Sequence, residues 1–235
     1  MKICVIPARG GSKRLPHKNI KEFCGKPIIA WSIEAAINAG CFERVIVSTD
    51  DNQIAEIARN FGADVPFKRS EKLADDYVGT IPVIRNALLW CNIHNIHPKF
   101  ICCAYATAPF IRSDDILKGL QLLISEDCDY AFSATSFPFP IQRAFRITDN
   151  NRAQMFQPEH FDTRSQDLEE AYHDAAQFYW GTAAAWLDER AFFATNSVPV
   201  ILPRHRVQDM DTLEDWTRAE LMFKANLQSG LESCE

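Results

Sequence analysis

An α/β fold, with a mostly parallel sheet flanked by helices, is predicted by three observations. Short β-rich runs alternate with stretches of helical periodicity from residue 2 to about residue 135. The helical stretches are long enough to serve as right-handed crossovers between parallel strands. A length of 235 residues suits one layered domain, 1–235, better than two.

Lys2 to Ala8 is the first β-rich run and ends in a Gly-Gly turn. Ile29, Ile33, Ala36 and Ile37 then recur at helical spacing, with Gly40 as the stop. Arg44 to Ser48 reads as the second strand. Asp50 is placed to cap the next helix, with Gln53 completing a capping box and Ile54, Ile57, Ala58 and Phe61 forming the apolar face. Ala63 to Phe67 is a short candidate strand, Thr80 to Cys91 a helix, and Phe100 to Tyr105 a strand. A helix led by Ser113-Asp114-Asp115 runs to Leu123. The pattern breaks from Phe137 to Tyr172, a polar stretch that starts Phe-Pro-Phe-Pro and reads as an insertion: a lid, an arm exchanged with a partner subunit, or a surface meander. Gln177 to Trp186 and Val198 to Leu202 read as strands. Thr212 to Phe223 reads as a closing helix that packs Leu213, Trp216, Ala219 and Leu221 inward.

Hydrophobic residues are 47% of the chain and charged residues 24%, which excludes disordered, collagenous and disulfide-scaffold proteins. No run approaches the roughly 18 apolar residues of a membrane helix. Met1 to Pro7 enters the turn without the layout of a secretion signal, so a cytoplasmic enzyme with no membrane partner is expected. The eight cysteines form no C-x-x-C pair and mostly lie in apolar runs, as buried reduced thiols do. A net charge of −6 argues against a nucleic-acid partner. Arg9 to Lys26 inverts that sign locally, with six basic residues against one acid, and calls for something anionic.

Pro7-Ala8-Arg9-Gly10-Gly11-Ser12-Lys13-Arg14 is the strongest local signal. Glycines let backbone N–H groups approach a phosphate, and flanking Arg and Lys neutralise it; a solvated basic turn is the competing reading. The stretch is neither a Walker A loop nor G-x-G-x-x-G. Asp209 and Asp211 stand two apart, so in extended chain both can face one hard divalent cation. Asp211 with Glu214 is also the spacing of a capping box, and the two roles are compatible. His173 beside Asp174 suggests an acid–base pair, but adjacent side chains diverge on helix and strand alike, which favours a non-catalytic reading. Trp186, Trp216 and the phenylalanines read as core.

Taken together these residues resemble the cytidylyltransferases that activate nonulosonic, sialic-acid-like sugars as CMP conjugates. The likeness rests on A-R-G-G-S-K-x-x-P-x-K-N-I from Ala8 to Ile20, Val45 to Asp50, Arg69 with Leu73-Ala74-Asp75-Asp76, Thr107-x-Pro109 and Asp209-x-Asp211, in family order. It implies a Rossmann-like sheet, CTP as donor, Mg²⁺ as cofactor, and a homodimer in which 137–172 is the dimerisation arm. By position, Arg9, Gly10, Gly11, Ser12, Lys18 and Asn19 would meet the triphosphate, and Arg69 with Thr80 would hold the nucleotide. Asp209 and Asp211 would ligate the metal, and Arg9, Lys18 and Asp211 would carry catalysis.

Phe137 to Ala144 and Gln177-Phe178-Tyr179-Trp180-Gly181 resemble the pseudaminic acid branch. Tyr105, Gln142, Gln177 and Tyr179 are the implied sugar contacts, with N-acetylneuraminic and legionaminic acid as rival acceptors. Sialate-activating members commonly have Gln-Pro-Thr-Ser-Pro-Leu-Arg where this chain has Tyr105 to Ile111. The expected reaction is attack of the anomeric hydroxyl on the α-phosphorus of CTP with release of pyrophosphate. A non-catalytic nucleotide-binding module would not need the two acids, and an NAD-dependent dehydrogenase would need the missing G-x-G-x-x-G.

Overall fold

The computed structural model describes residues 1–75 and 77–228. Asp76 of the family segment and Cys234 lie outside the described residues. The central sheet has six strands. In chain order its strands are β1 (Lys2–Pro7), β4 (Arg44–Ser48), β5 (Phe100–Ala104), β6 (Tyr130–Ser136), β9 (Tyr172–Thr182) and β10 (Ser197–Ile201). The small strands β2 (Glu22–Phe23) and β3 (Lys26–Pro27) make one hairpin; β7 (Phe145–Ile147) and β8 (Ala153–Met155) make another. The spatial order is β10-β6-β9-β5-β1-β4, with β9 alone antiparallel to its neighbours.

The carboxyl ends of the five parallel strands therefore lie along one edge, and the start of β9 joins them. The chain steps from β1 outward to β4 and then back to β5 on the other side of β1. That reversal opens a crevice at the carboxyl ends of β1 and β5, the usual ligand position in such sheets.

The helices are α1 (Ile28–Asn38), α2 (Asn52–Asn60), α3 (Thr80–Ile93), α4 (Ser113–Ser125), α5 (Ala183–Leu187) and α6 (Leu213–Gln228). Ile29, Ile33 and Ala36 of α1 pack with Ile54, Ile116 and Leu120 on one face of the sheet. Ile84, Ala87 and Leu88 of α3 cover the other with Ala185 and Trp186. A third apolar cluster joins the ends of the chain: Leu15, Phe23, Ile28 and Phe110 against Met210, Trp216, Ala219 and Phe223. Phe23 meets Trp216 and Phe223 edge-on.

Several expectations are corrected. Asp51, not Asp50, caps α2, its carboxylate accepting from the Gln53 and Ile54 amides. Residues 63–67 make no strand; Asp64 and Lys68 only bridge to Ile46 and Thr49. Ser113 does not cap α4; its hydroxyl donates to Ala35 O across the packed helices. The run 177–186 splits into the end of β9 and the helix α5. Thr182 caps α5 by accepting from Ala185 N–H, and three alanines favour the helix. Leu213 and Leu221 face solvent, and Phe223 takes the inward place; Ile37 is likewise exposed on α1. The described cysteines are all free thiols, five of them buried.

Candidate active site

The turn after β1 is the first wall of the crevice. Its shape comes from Gly10, whose N–H donates to Asp50 Oδ1 at 3.1 Å while its carbonyl takes the Ser12 N–H. A Cβ on Gly10 would lie 2.7 Å from Asp51 Oδ2, so the close approach requires glycine; a Cβ on Gly11 would meet nothing. Asn19 is buried and donates its amide to Arg9 O at 2.8 Å, which makes it the brace of this loop.

Arg69 is 4% exposed, and its Nε and Nη2 find no hydrogen-bond partner. Its backbone N–H is fixed to Thr49 O, and its guanidinium stands 3.6 Å from Asp50 Oδ1. Burial lowers its pKa, Asp50 opposes that shift, and Arg9 adds to it. A second cation, Arg9, thus acts on the buried Arg69, and an anion would offset their repulsion.

The second wall is the segment before α6. Lys18 Nζ donates to Met210 O at 2.6 Å and stands 3.6 Å from Asp211 Oδ1; Arg14 pairs with the other Asp211 oxygen. The basic turn at the front and the two acids at the back are therefore direct neighbours. Asp211 is not the helix cap. Thr212 Oγ1 accepts from Asp215 N–H, and Asp215 returns the bond to the Thr212 N–H, which leaves Asp211 to the crevice. Loss of hydration raises the Asp209 pKa, although the residue opens to the cleft, and Asp211 raises it further.

A cleft of about 460 Å³ runs from Asp209 past Gln208, Arg204 and Arg218 to His173, Asp174 and Thr135. Tyr179 is buried and donates its hydroxyl to Asp174; Tyr105 pairs with Thr80 Oγ1 at 2.8 Å. Burial pushes the Tyr105 phenol up to about 12 and Tyr179 higher still, so both stay protonated donors. Gln177 is 2% exposed with its amide committed to Arg206 O, and it braces the turn that carries Arg204. Gln142 sits in the segment 137–171, donating to Glu169 O. Of the four sequence-read sugar contacts, the hydrogen bonds thus link Tyr105 to Thr80 and Tyr179 to the cleft carboxylate Asp174. The sequence reading gives Asp50 only as a helix cap and family-segment residue and Asp174 only as the neighbour of His173, so it misses both as residues of this site. The Asp50 position at the end of β4, on the same edge as the Gly-Gly turn, was the available signal.

Residues 3–227 match the family model described as Cytidylyltransferase. The chain is 45% identical over 227 residues to a pseudaminic acid cytidylyltransferase of Campylobacter jejuni, covering 97% of this chain and 98% of that one. It is 30% identical to a CMP-N,N'-diacetyllegionaminic acid synthase of Legionella pneumophila, again over 97% and 98%. The fold is similar to that of a CMP:2-keto-3-deoxy-manno-octonic acid synthetase solved with CTP, at TM-score 0.69 and 16% identity over 96% of this chain and 99% of that one. A model match over residues 3–227 and a relative this similar over nearly the full length together place the chain in the cytidylyltransferase family.

Proposed function

We propose that this protein transfers CMP from CTP to the anomeric hydroxyl of a nonulosonic acid, pseudaminic acid before others, and releases pyrophosphate. The observation that carries the reading is the lock between Lys18 and the Met210-Asp211 segment, which sets a cationic phosphate cradle against two carboxylates. The 45% identity to a named pseudaminic acid cytidylyltransferase supports the choice of acceptor.

Asp209 and Asp211 fit a magnesium ion. Both are hard oxygen donors, and burial, followed by the Asp211 charge, disfavours the Asp209 anion, an effect a cation would offset. Bound there, it would supply charge neutralisation for the triphosphate.

The chain's own residues position and neutralise the reactants. Arg9, Lys18 and Arg69 oppose the repulsion between the donor's triphosphate and the acceptor's carboxylate, and Gly10 to Ser12 offer the backbone surface of the cradle. The anomeric oxygen forms a bond to the α-phosphorus as the bond to the bridging oxygen breaks. That electron pair leaves with pyrophosphate, and the hydroxyl proton passes to solvent. The insertion 137–172, whose last residue Tyr172 already opens β9, serves as the dimer arm; Phe139, Phe156 and Phe161 stand 78%, 62% and 70% exposed, and a second copy would cover them. The preparation is expected to sediment as a dimer.

The test is pyrophosphate release with CTP against pseudaminic, legionaminic and N-acetylneuraminic acids, repeated with ATP, GTP and UTP. Release with CTP and pseudaminic acid in clear excess over the rest is expected. Equal use of the four nucleotides, or no release with any acid, would overturn the reading.

A further inference from the structure

Strand β9 departs from regular pairing beside Asp209. Phe132 pairs with Tyr179, but Ala134 pairs with Asp174, so two steps along β6 are met by five along β9. This bulge is a built feature. Ala176 takes a positive φ of 52°, a conformation an alanine holds only when its surroundings enforce it. The enforcement is visible. Asp174 Oδ1 accepts from Ala176 N–H at 2.8 Å, and Ser133 Oγ accepts from both Gln177 and Phe178 N–H.

The result is to swing Asp174 into the cleft, where it lies with His173, Arg204, Arg218 and Asp209. His173 bonds the Asp174 backbone carbonyl and leaves the carboxylate alone. Tyr179 holds the second carboxylate oxygen, and the Tyr105–Thr80 contact continues the polar chain to the first turn of α3. A carboxylate that accepts one bond on each oxygen keeps lone pairs for further donors. The cleft is thus lined by two acids, Asp174 and Asp209, and by two arginines, Arg204 and Arg218.

We infer that Asp174 is a specificity-determining residue that accepts hydrogen bonds from hydroxyl or amide N–H groups of the acceptor sugar, while the cleft arginines Arg204 and Arg218 take its carboxylate. This rests on the functional reading above and names how that site recognises its acceptor. A ligand that carries both an anionic group and N–H or O–H donors fits this mixed lining; a purely anionic one is repelled from Asp174. Tyr179 is a positioning residue that acts through Asp174, and the Tyr105 contact ends on Thr80, itself assigned to the nucleotide.

The experiment measures KM for sugar and for CTP in wild type, D174N, D174A and Y179F, with thermal unfolding of each. D174N and D174A are expected to raise KM for the sugar at least about ten-fold while KM for CTP stays within about two-fold, as loss of a charge-assisted contact to one substrate does. Y179F is expected to give a smaller rise of the same kind. An unchanged KM for sugar in both Asp174 variants overturns the inference. So does an equal rise in both KM values with a fall in Tm, which marks a merely structural role. A wild type that turns over no nonulosonic acid overturns the functional reading itself, and this inference with it.

Discussion

Gly10 and Gly11 are adjacent, and the sequence assigns them the same purpose. Their surroundings differ. A methyl group on Gly10 would be forced into Asp51, the cap of α2, whereas Gly11 faces open space. G10A is therefore expected to displace the cap, at a cost of about 1 kcal/mol, and to lower Tm by about 2–4 °C, while G11A leaves Tm unchanged. Thermal unfolding of the two variants decides it, and equal Tm values would contradict the assigned contact. The distinction was not legible, because it depends on the side chain of Asp51, far along the sequence. The same holds for Asp50 and Asp51. The spacing to Gln53 fits a box from Asp50, but that carboxylate is engaged by Gly10 N–H and stands against Arg69, so the cap moves one residue on.

At the scale of elements, regular strands and amphipathic helices were readable, since periodicity reports which faces are buried. The exceptions have local causes. The bulge in β9 hides the strand's true start, because alternation fails wherever extra residues are inserted. Leu213 and Leu221 fit a helical stripe in number but lie off the face set by Trp216, Ala219 and Phe223. The start of α6 gives a test. Thr212 and Asp215 satisfy each other's amides, and the hydroxyl of Thr212 is the main cause of Asp215's lowered pKa. A lowered carboxylate pKa contributes stability that is fully present above the ordinary aspartate range, near pH 4, and is lost as pH falls through the lowered value. T212A is expected to cost about 1 kcal/mol at neutral pH, with the difference from wild type shrinking in acid. A gap that widens as pH drops below 4 would reject this account of the cap.

For the whole molecule, the decisive feature is the meeting of two segments almost two hundred residues apart. Leu15 and Phe23 pack on Met210, Trp216 and Phe223, and this apolar cluster brings Arg14 and Lys18 to Asp211. Each half was readable alone, a basic Gly-Gly turn and an Asp-x-Asp pair, but no local pattern states that they touch. The family resemblance supplied that, and the packing gives the physical reason. Among the described residues no helix is long and apolar enough to cross a membrane.

Titration calorimetry of CTP into wild type, K18A and D211A, with and without Mg²⁺, tests that meeting most directly. K18A is predicted to bind CTP roughly 10- to 100-fold more weakly, and D211A to lose the strengthening that Mg²⁺ gives wild type. Wild-type affinity in K18A, together with an undiminished magnesium effect in D211A, would contradict the account.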